Sequence, residues 1–422
     1  MQVIRKILSP ILRLFMLMFL MAGMGSSTLP NRDPLEKIRS FTRNFEFEFV
    51  RWTIDAAAIK LGQNGLGAFT YIPENERKHL IDNYFDILEQ TRQKELQLEA
   101  LLADSEGNAA NEVDRLREQV RDLRGLLDDY QIYVESIVQE QIAQTLGDLG
   151  LGLGGKIFPP VLFKFNQLPV ALIVSPRDVI RQEANIPLQA SLTLDQKIEL
   201  ENGIDQRLDR SALVVNIGGI STYPSMILEN GSLVWVIETV THEWIHNYLF
   251  FKPLGIYYSQ SQDLRTMNET TASILGTQIA ALLIAHYYPE LVRPIEQTPS
   301  SPQPGEPPEF DFRAEMHETR NTADGLLAQG LIEEAEEYME QRRQVFLDHG
   351  YRIRKLNQAY FAFHGVYADQ PLSAAGDDPV GDAVRDLWEQ LQDPLEFLRQ
   401  MARINSFPEL EETLAEISPI RN

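Results

Sequence analysis

The apolar residues between Val113 and Ile137 recur every three or four positions, and this repeat limits the fold more than any other feature. They are Val113, Leu116, Val120, Leu123, Leu127, Tyr130, Val134 and Ile137. Such spacing is typical of a helix that buries one narrow seam against another helix. The segment from Leu80 to Leu101 follows the same spacing, and Gly107-Asn108 separates the two. The sequence predicts a long antiparallel coiled-coil hairpin over residues 73–150, acting as a spacer or as an arm for a protein partner or self-association.

The composition narrows the choice of partners and of metal ligands. The chain of 422 residues has a formal net charge of −23 and contains no cysteine. Because sequence-independent binding of nucleic acid needs clustered lysine and arginine, the acidic balance argues against nucleic acid as a partner. Without cysteine there is no disulfide framework, thiolate zinc finger or cysteine nucleophile. Any metal ion must be bound by histidine and carboxylate side chains.

Residues 1–27 have the pattern of a targeting segment. Three basic residues precede a compact apolar run from Leu14 to Met24, and small residues follow it. This order is typical of an export signal, and the run is short for a hydrocarbon core of about 30 Å. We expect a cleaved signal peptide or a retained membrane anchor. Both place the rest of the chain outside the cytoplasm, either exported to the periplasm or the medium or anchored in the cell envelope.

The motif His242-Glu243-Trp244-Ile245-His246 lies in a stretch, Leu233 to Phe251, that is apolar almost all round. Two histidines four positions apart project from one face of a helix, where both imidazoles reach one Zn²⁺ at about 2.0–2.1 Å. Glu243 is rotated about 100° from His242, so it lies beside the open coordination position, as a general base requires. Because unpaired polar groups are unfavourable inside an apolar helix, a bound metal explains the motif.

A catalytic zinc site needs a third protein ligand and one open position. Glu269 lies 23 residues after His246, at the start of a second apolar stretch, Ala272 to Ala285. That stretch is too short for a membrane span, so we expect a buried helix. The sequence therefore offers His242, His246 and Glu269 as zinc ligands.

An HExxH motif followed some twenty residues later by an NExxA segment, here Asn268 to Ala272, resembles the gluzincin clan of zinc metallopeptidases. The clan includes thermolysin-like and aminopeptidase families, and the match covers roughly residues 210–285. The resemblance implies the same ligands, with Glu243 as the base. Thermolysin-like members have an aspartate four residues after the ligand glutamate, and it supports a ligand histidine. This chain has Ser273 there, so the support must be arranged differently.

Three further features are candidates for roles around the metal. Glu238, one helical turn before His242, is a candidate to support that ligand. Gluzincins place an edge strand beside the zinc helix, where it pairs with the substrate backbone, and the resemblance implies this place for Tyr223–Leu228. They commonly take an oxyanion donor from a later helix, which implies His364 or Tyr367. The alternatives are a structural carboxylate, an ordinary edge strand and hydrogen-bonded buried polar residues.

The patterns predict an α+β fold that is predominantly helical. A small mixed sheet packs on a zincin-type active-site helix, flanked by the hairpin and by C-terminal helices. The predicted units are a signal peptide or anchor at 1–27, a helix packing on the catalytic core at 33–62, the hairpin at 73–150, the zincin-like catalytic core at 160–290, a Pro-rich linker at 296–311, a helical subdomain completing the site at 312–370 and C-terminal helices at 376–422. Within 33–62, the period-two alternation of residues 45–49 leaves a strand as the alternative.

The function expected from these observations is an exported zinc metallopeptidase, with peptides or proteins as substrate. One alternative is a non-catalytic envelope scaffold with a structural zinc site, whose coiled-coil arm binds partners. Another is a zinc hydrolase of a different class. Glu243 favours the peptidase over the scaffold, because a purely structural zinc site needs no base.

Overall fold

The computed structural model describes residues 33–66, 72–103, 110–292 and 310–417. The predicted signal peptide or anchor at 1–27 and nearly all of the Pro-rich linker at 296–311 lie outside these residues. Within the described ranges the chain forms an α+β fold that is predominantly helical. No helix in this part of the chain is both long and apolar enough to span a bilayer.

The helix predicted over 33–62 is wrong as one element, because the chain forms two helices there. They are α1 (Pro34–Thr42) and α2 (Phe49–Leu66). Between them the chain is extended, with Phe47 N donating to Pro187 O at 3.0 Å and Gln189 N donating to Phe45 O at 2.7 Å. The period-two alternation of residues 45–49 therefore gives a short extended piece beside a strand.

The predicted hairpin region contains two long helices, α3 (Glu74–Ala103) and α4 (Ala110–Asp148). They are joined by Lys94 Nζ, which donates to Gln119 Oε1 at 2.8 Å, and by Arg124, which forms an ion pair with Glu95. The N-terminal half of α3 and the C-terminal half of α4 contribute to the largest hydrophobic core of the described residues, together with the helix that carries the HExxH motif. The pair is thus part of the main body of the protein, and its coiled-coil geometry stays a prediction.

In the described part of the chain, eight short strands form a two-stranded ribbon and two three-stranded sheets. The strands are β1 (Gly152–Leu153), β2 (Lys156–Ile157), β3 (Phe163–Asn166), β4 (Val170–Pro176), β5 (Ala184–Leu188), β6 (Arg210–Asn216), β7 (Gly219–Ile220) and β8 (Ser225–Leu228), with α5 (Leu194–Leu208) between β5 and β6. In one sheet β4 lies between β5 and β6, and all pairs are antiparallel. In the other, β8 pairs parallel with β3 and antiparallel with β7.

The prediction that Tyr223–Leu228 is an edge strand is wrong, because β8 is the middle strand of its sheet. Pro224 precedes the first paired residue, so its missing N–H disturbs no ladder. On the far side of β3, Gln139 and Glu135 of α4 accept the backbone N–H groups of Phe163 and Phe165. The edge of this sheet that remains open, within the described residues, belongs to β7.

Three helices follow the sheets, namely α6 (Leu233–Leu249), α7 (Pro253–Ile256) and α8 (Gln262–Tyr287). Ser232 caps α6 by accepting a hydrogen bond from Trp235 N. The helix α8 includes the stretch Ala272 to Ala285, and most of its side chains are buried, as expected for an apolar core helix. Gly276 allows α6 and α8 to lie close together, because a Cβ there would be 3.1 Å from Glu238 O and 3.3 Å from His242 Cβ.

Six α-helices lie within residues 310–417. They are α9 (Phe312–Ala328), α10 (Ile332–Asp348), α11 (Gln358–His364), α12 (Pro379–Leu391), α13 (Pro394–Met401) and α14 (Phe407–Ile417). The sequence also predicts one continuous helix over Tyr351–Tyr367, and this prediction is wrong at both ends, because only the middle of that segment is helical, as α11. Asn357 caps α11 by accepting from Tyr360 N. Before this cap the chain is attached to α5 through an ion pair between Arg354 and Glu201.

Candidate metal centre

The two histidines of the HExxH motif and Glu269 converge between α6 and α8. Nε2 of His242 lies 3.0 Å from Nε2 of His246. Oε2 of Glu269 lies 3.5 Å from Nε2 of His242 and 3.3 Å from Nε2 of His246. The structure therefore brings together the three side chains that the sequence predicts as ligands.

The donor set and its spacing fit a zinc ion. Zinc in proteins is bound tetrahedrally by imidazole nitrogen and carboxylate oxygen at about 2.0–2.2 Å, so neighbouring ligand atoms lie about 3.3 Å apart. The three distances of 3.0, 3.3 and 3.5 Å lie around that value. Two histidines and one carboxylate also leave a fourth position open, which is the arrangement of catalytic zinc sites.

Each of the two histidines has a polar neighbour that orients it. Asn268 Oδ1 lies 2.7 Å from Nδ1 of His246, and its Nδ2 donates to the backbone oxygen of Leu254 at 3.2 Å. The asparagine thus favours a proton on Nδ1, which leaves Nε2 free for a metal. Ser273 Oγ lies 3.5 Å from Nδ1 of His242. The serine therefore occupies the supporting position at which thermolysin-like members have an aspartate.

Without a metal, the negative charge of Glu269 is balanced by the histidines. Burial alone would lower the pKa of His246, but the neighbouring Glu269 carboxylate outweighs it and raises this pKa to about 9. Burial alone would raise the pKa of Glu269, but the charges and hydrogen bonds of the two histidines hold it well below its usual range. A divalent cation would take the place of that proton, since a metal binds the deprotonated imidazole.

Glu243 is placed differently from the ligands. Its side chain is only 6% exposed, and it makes no hydrogen bond with any other described residue. Burial raises the pKa of Glu243, although the charges of the two histidines oppose that shift. A Cβ on Gly219 of β7 would lie 2.9 Å from Glu243 Cδ, so the missing side chain of the glycine makes room for this carboxylate.

His242, His246 and Glu269 are the candidate metal ligands, and we refer to these three residues as the metal cluster. Two cavities meet there. We call one of about 390 Å³ the Glu238 cavity, and its wall includes Trp235, Glu238, Thr277 and Asp369. We call the other, of about 430 Å³, the Phe250 cavity, and its wall includes Ala171, Pro187, Ile220, Phe250 and Tyr258. Both are lined by Ile217, Gly219, His242, Glu243, Phe363 and Tyr367. The cluster thus lies between two spaces that continue in different directions along β7.

Of the two predicted oxyanion donors, the structure brings only Tyr367 to the cluster. Its ring centre lies 6.3 Å from that of His242, and the tyrosine lines both cavities. His364 lines neither cavity and packs against Tyr360, with ring centres 4.3 Å apart. The difference arises because α11 ends at His364, so the chain has turned before it reaches Tyr367.

The sequence reasoning missed two residues at the site and placed a third only approximately. Tyr258 donates to Oε1 of Glu269 at 2.6 Å, and Gly219 makes room for Glu243. Both lie outside the two motif helices, and no local pattern marks them. Glu238 lines a cavity with His242, but the polar neighbour of the His242 ring is Ser273.

Comparison with family models, curated proteins and solved structures gives no match for this chain. The resemblance to gluzincins therefore rests on the motif and on the geometry of its residues alone.

Proposed function

We propose that this protein is a zinc-dependent metallopeptidase that hydrolyses peptide bonds with an activated water. The observation that supports it best is the convergence of His242, His246 and Glu269 within 3.5 Å of one another, with Glu243 beside them. The pattern of residues 1–27 adds an exported or envelope location to the proposal. The gluzincin resemblance supports the same reading.

Bound zinc would lower the pKa of a water and polarise the substrate carbonyl. Glu243 accepts the proton of the water as its oxygen attacks the carbonyl carbon. It then donates that proton to the nitrogen as the C–N bond breaks, so one water is consumed and an acid and an amine are released. Glu243 suits this task because its carboxylate has no hydrogen-bond partner among the described residues and lines both cavities.

Tyr367 is the donor we assign to the oxygen that becomes negative during the attack. Burial and the carboxylates of Glu269 and Glu243 hold the pKa of its hydroxyl well above the usual value. The hydroxyl therefore stays protonated at neutral pH and is available to donate a hydrogen bond.

The open edge of β7 is the place we assign to the substrate backbone. A peptide added there would pair through main-chain hydrogen bonds and lie across the metal cluster, since Gly219 and Ile220 line the Phe250 cavity. The strand Tyr223–Leu228 is not available for this role, because β8 is already paired on both sides, with β3 and with β7.

The test compares the full wild-type chain with Glu243→Gln. We expect both to bind close to one zinc per chain by elemental analysis, and only the wild type to cleave a peptide library in a chelator-sensitive manner. Wild-type protein that binds zinc and cleaves no peptide would contradict the proposal and favour the non-catalytic scaffold. A chain that binds no zinc would contradict both.

A further inference from the structure

The two cavities beside the metal cluster differ in charge. In the Glu238 cavity, two carboxylates, those of Glu238 and Asp369, line the wall in addition to Glu243. None of the described residues that line this cavity is a lysine or an arginine. Among the described residues that line the Phe250 cavity, the carboxylates are those of Glu243 and Glu269, which lie at the candidate metal site. Its other walls are mostly apolar or uncharged.

The carboxylates of the Glu238 cavity lack a partner within the described protein. Neither the side chain of Glu238 nor that of Asp369 forms a hydrogen bond or ion pair with another described residue. Both side chains are partly buried, and charges withdrawn from water are unfavourable unless they are paired. The buried carboxylate of Glu243 also faces this space without a hydrogen-bond partner. The cavity therefore has the charge of a site for a cation, next to the proposed reaction centre.

We infer that the Glu238 cavity is a specificity subsite that binds the cationic side chain of a lysine or arginine in the peptide substrate. This inference rests on the proposed peptidase function for the reaction, while the binding itself follows from Glu238 and Asp369. The cavity volume of about 390 Å³ leaves room for a long side chain. Gly276 and Thr277 of α8 also line the cavity, and because neither carries a long side chain they leave its volume open.

The direction of β7 indicates on which side of the cleaved bond the lysine or arginine of the substrate lies. Asn216 and Gly218, before β7, line the Glu238 cavity, whereas Ile220 and Ser221 line the Phe250 cavity. A peptide strand that pairs antiparallel with β7 therefore begins in the Phe250 cavity and ends in the Glu238 cavity. Antiparallel pairs are the more frequent kind in proteins. The cationic residue accordingly follows the cleaved bond, and an apolar residue precedes it.

The first experiment measures binding separately from cleavage, with the zinc-loaded full chain carrying Glu243→Gln. N-acetylated peptides with one apolar residue followed by lysine or by glutamine are titrated by calorimetry. We expect the lysine peptide to bind about tenfold more tightly, equivalent to about 1.4 kcal/mol. Adding Glu238→Gln and Asp369→Asn together should remove this difference in affinity. Each single change should remove part of it, so the single variants test the inference if the double variant fails to fold. Glu199→Gln, at an exposed position of α5, is the matched control and should preserve it.

The second experiment gives the same peptides, and isomers with lysine before the apolar residue, to the wild-type enzyme and locates the cleaved bond by mass spectrometry. Cleavage before lysine, reduced towards the glutamine level in the double variant, is the expected result. Equal binding of lysine and glutamine peptides, or cleavage only after lysine, would overturn the inference. Lysine-dependent binding without any hydrolysis would support the subsite and contradict the peptidase function, so the two failures are distinguishable.

Discussion

The hydroxyl of Tyr258 donates a hydrogen bond to Oε1 of Glu269 at 2.6 Å, while Oε2 of that carboxylate lies 3.3 Å from Nε2 of His246. One oxygen of the carboxylate is thus held by the tyrosine, and the other faces the histidines. Burial and the carboxylate keep the pKa of Tyr258 well above its usual value, so the hydroxyl remains a donor. The tyrosine therefore fixes which oxygen is available to a metal.

Replacing this tyrosine should weaken metal binding without unfolding the protein. We expect Tyr258→Phe to lower zinc affinity by about tenfold, because residues that orient metal ligands typically contribute 10–100-fold. Competition with a chromophoric chelator measures it. The neighbouring Tyr257 is 38% exposed, so Tyr257→Phe is the control and should bind zinc like the wild type. Equal affinities for the wild type and Tyr258→Phe would contradict this role.

The close approach of α6 and α8, the two helices that carry the candidate ligands, depends on Gly276. We expect Gly276→Ala to lower the free energy of unfolding by about 1–3 kcal/mol, as overpacking of a core does, and to weaken zinc binding by separating α6 from α8. Urea unfolding measures the first effect. At Gly125 of α4 a Cβ would meet nothing within 4 Å, so Gly125→Ala should raise stability by about 0.5–1 kcal/mol. A Gly276→Ala protein as stable as Gly125→Ala would show that the helices are not in close contact there.

The room that Gly219 provides for Glu243 should matter for turnover more than for metal binding. We expect Gly219→Ala to displace the carboxylate and to reduce peptide hydrolysis by roughly a hundredfold, at the low end of what general acid–base catalysis contributes. Zinc stoichiometry should stay close to one. At Gly152 the nearest atom to an added Cβ would be 3.8 Å away, and Gly152→Ala should hydrolyse peptides at the wild-type rate. Full activity of Gly219→Ala would refute the assignment of Glu243 as the base.

His364 should make the protein sensitive to acid, although it takes no part in the site. Burial lowers the pKa of His364 to about 4, whereas the unfolded chain takes up this proton near pH 6.5. The unfolded state therefore binds more protons between these values. Stability should fall as the pH drops from 6.5 towards 4, by up to about 1.4 kcal/mol per pH unit.

In His364→Phe this contribution is absent, and the aromatic ring keeps the packing against Tyr360. Urea unfolding at pH 7.5 and at pH 5 should therefore show a smaller loss for the variant than for the wild type. Identical losses in the two proteins would mean that His364 is protonated equally in the folded and unfolded states.

The convergence of His242, His246 and Glu269 could be predicted because much of its geometry is local. Two histidines four residues apart on an apolar helix must share one face, and Glu269 lies on the next long buried helix, just before its most apolar stretch. The supporting residues Asn268 and Ser273 lie on that same helix, near the ligand. Tyr258 and Gly219 could not be found this way, because only the packing of separate segments brings them to the cluster.

The order of the strands could not be predicted from local sequence patterns, for a related reason. The segment Tyr223–Leu228 has the proline of an edge strand, but its parallel partner β3 lies some sixty residues earlier in the chain. Likewise, the period of residues 45–49 fits a helix or a strand, and contact with β5 decides between them. Tertiary partners, rather than propensity, determined these outcomes.

The buried ion pair between Lys60 of α2 and Glu135 of α4, 2.5 Å long and 1% exposed on both sides, joins these two helices. The same Glu135 accepts the N–H of Phe165 in β3, so one carboxylate joins a helix, the hairpin and the strand next to β8. The part of the hairpin near Glu135 thus belongs to the same hydrophobic core as α6 and α8. A shift of even one helical turn of α4 near Glu135 would therefore break its contacts with α2 and β3 at once, and would displace the sheet that contains β7.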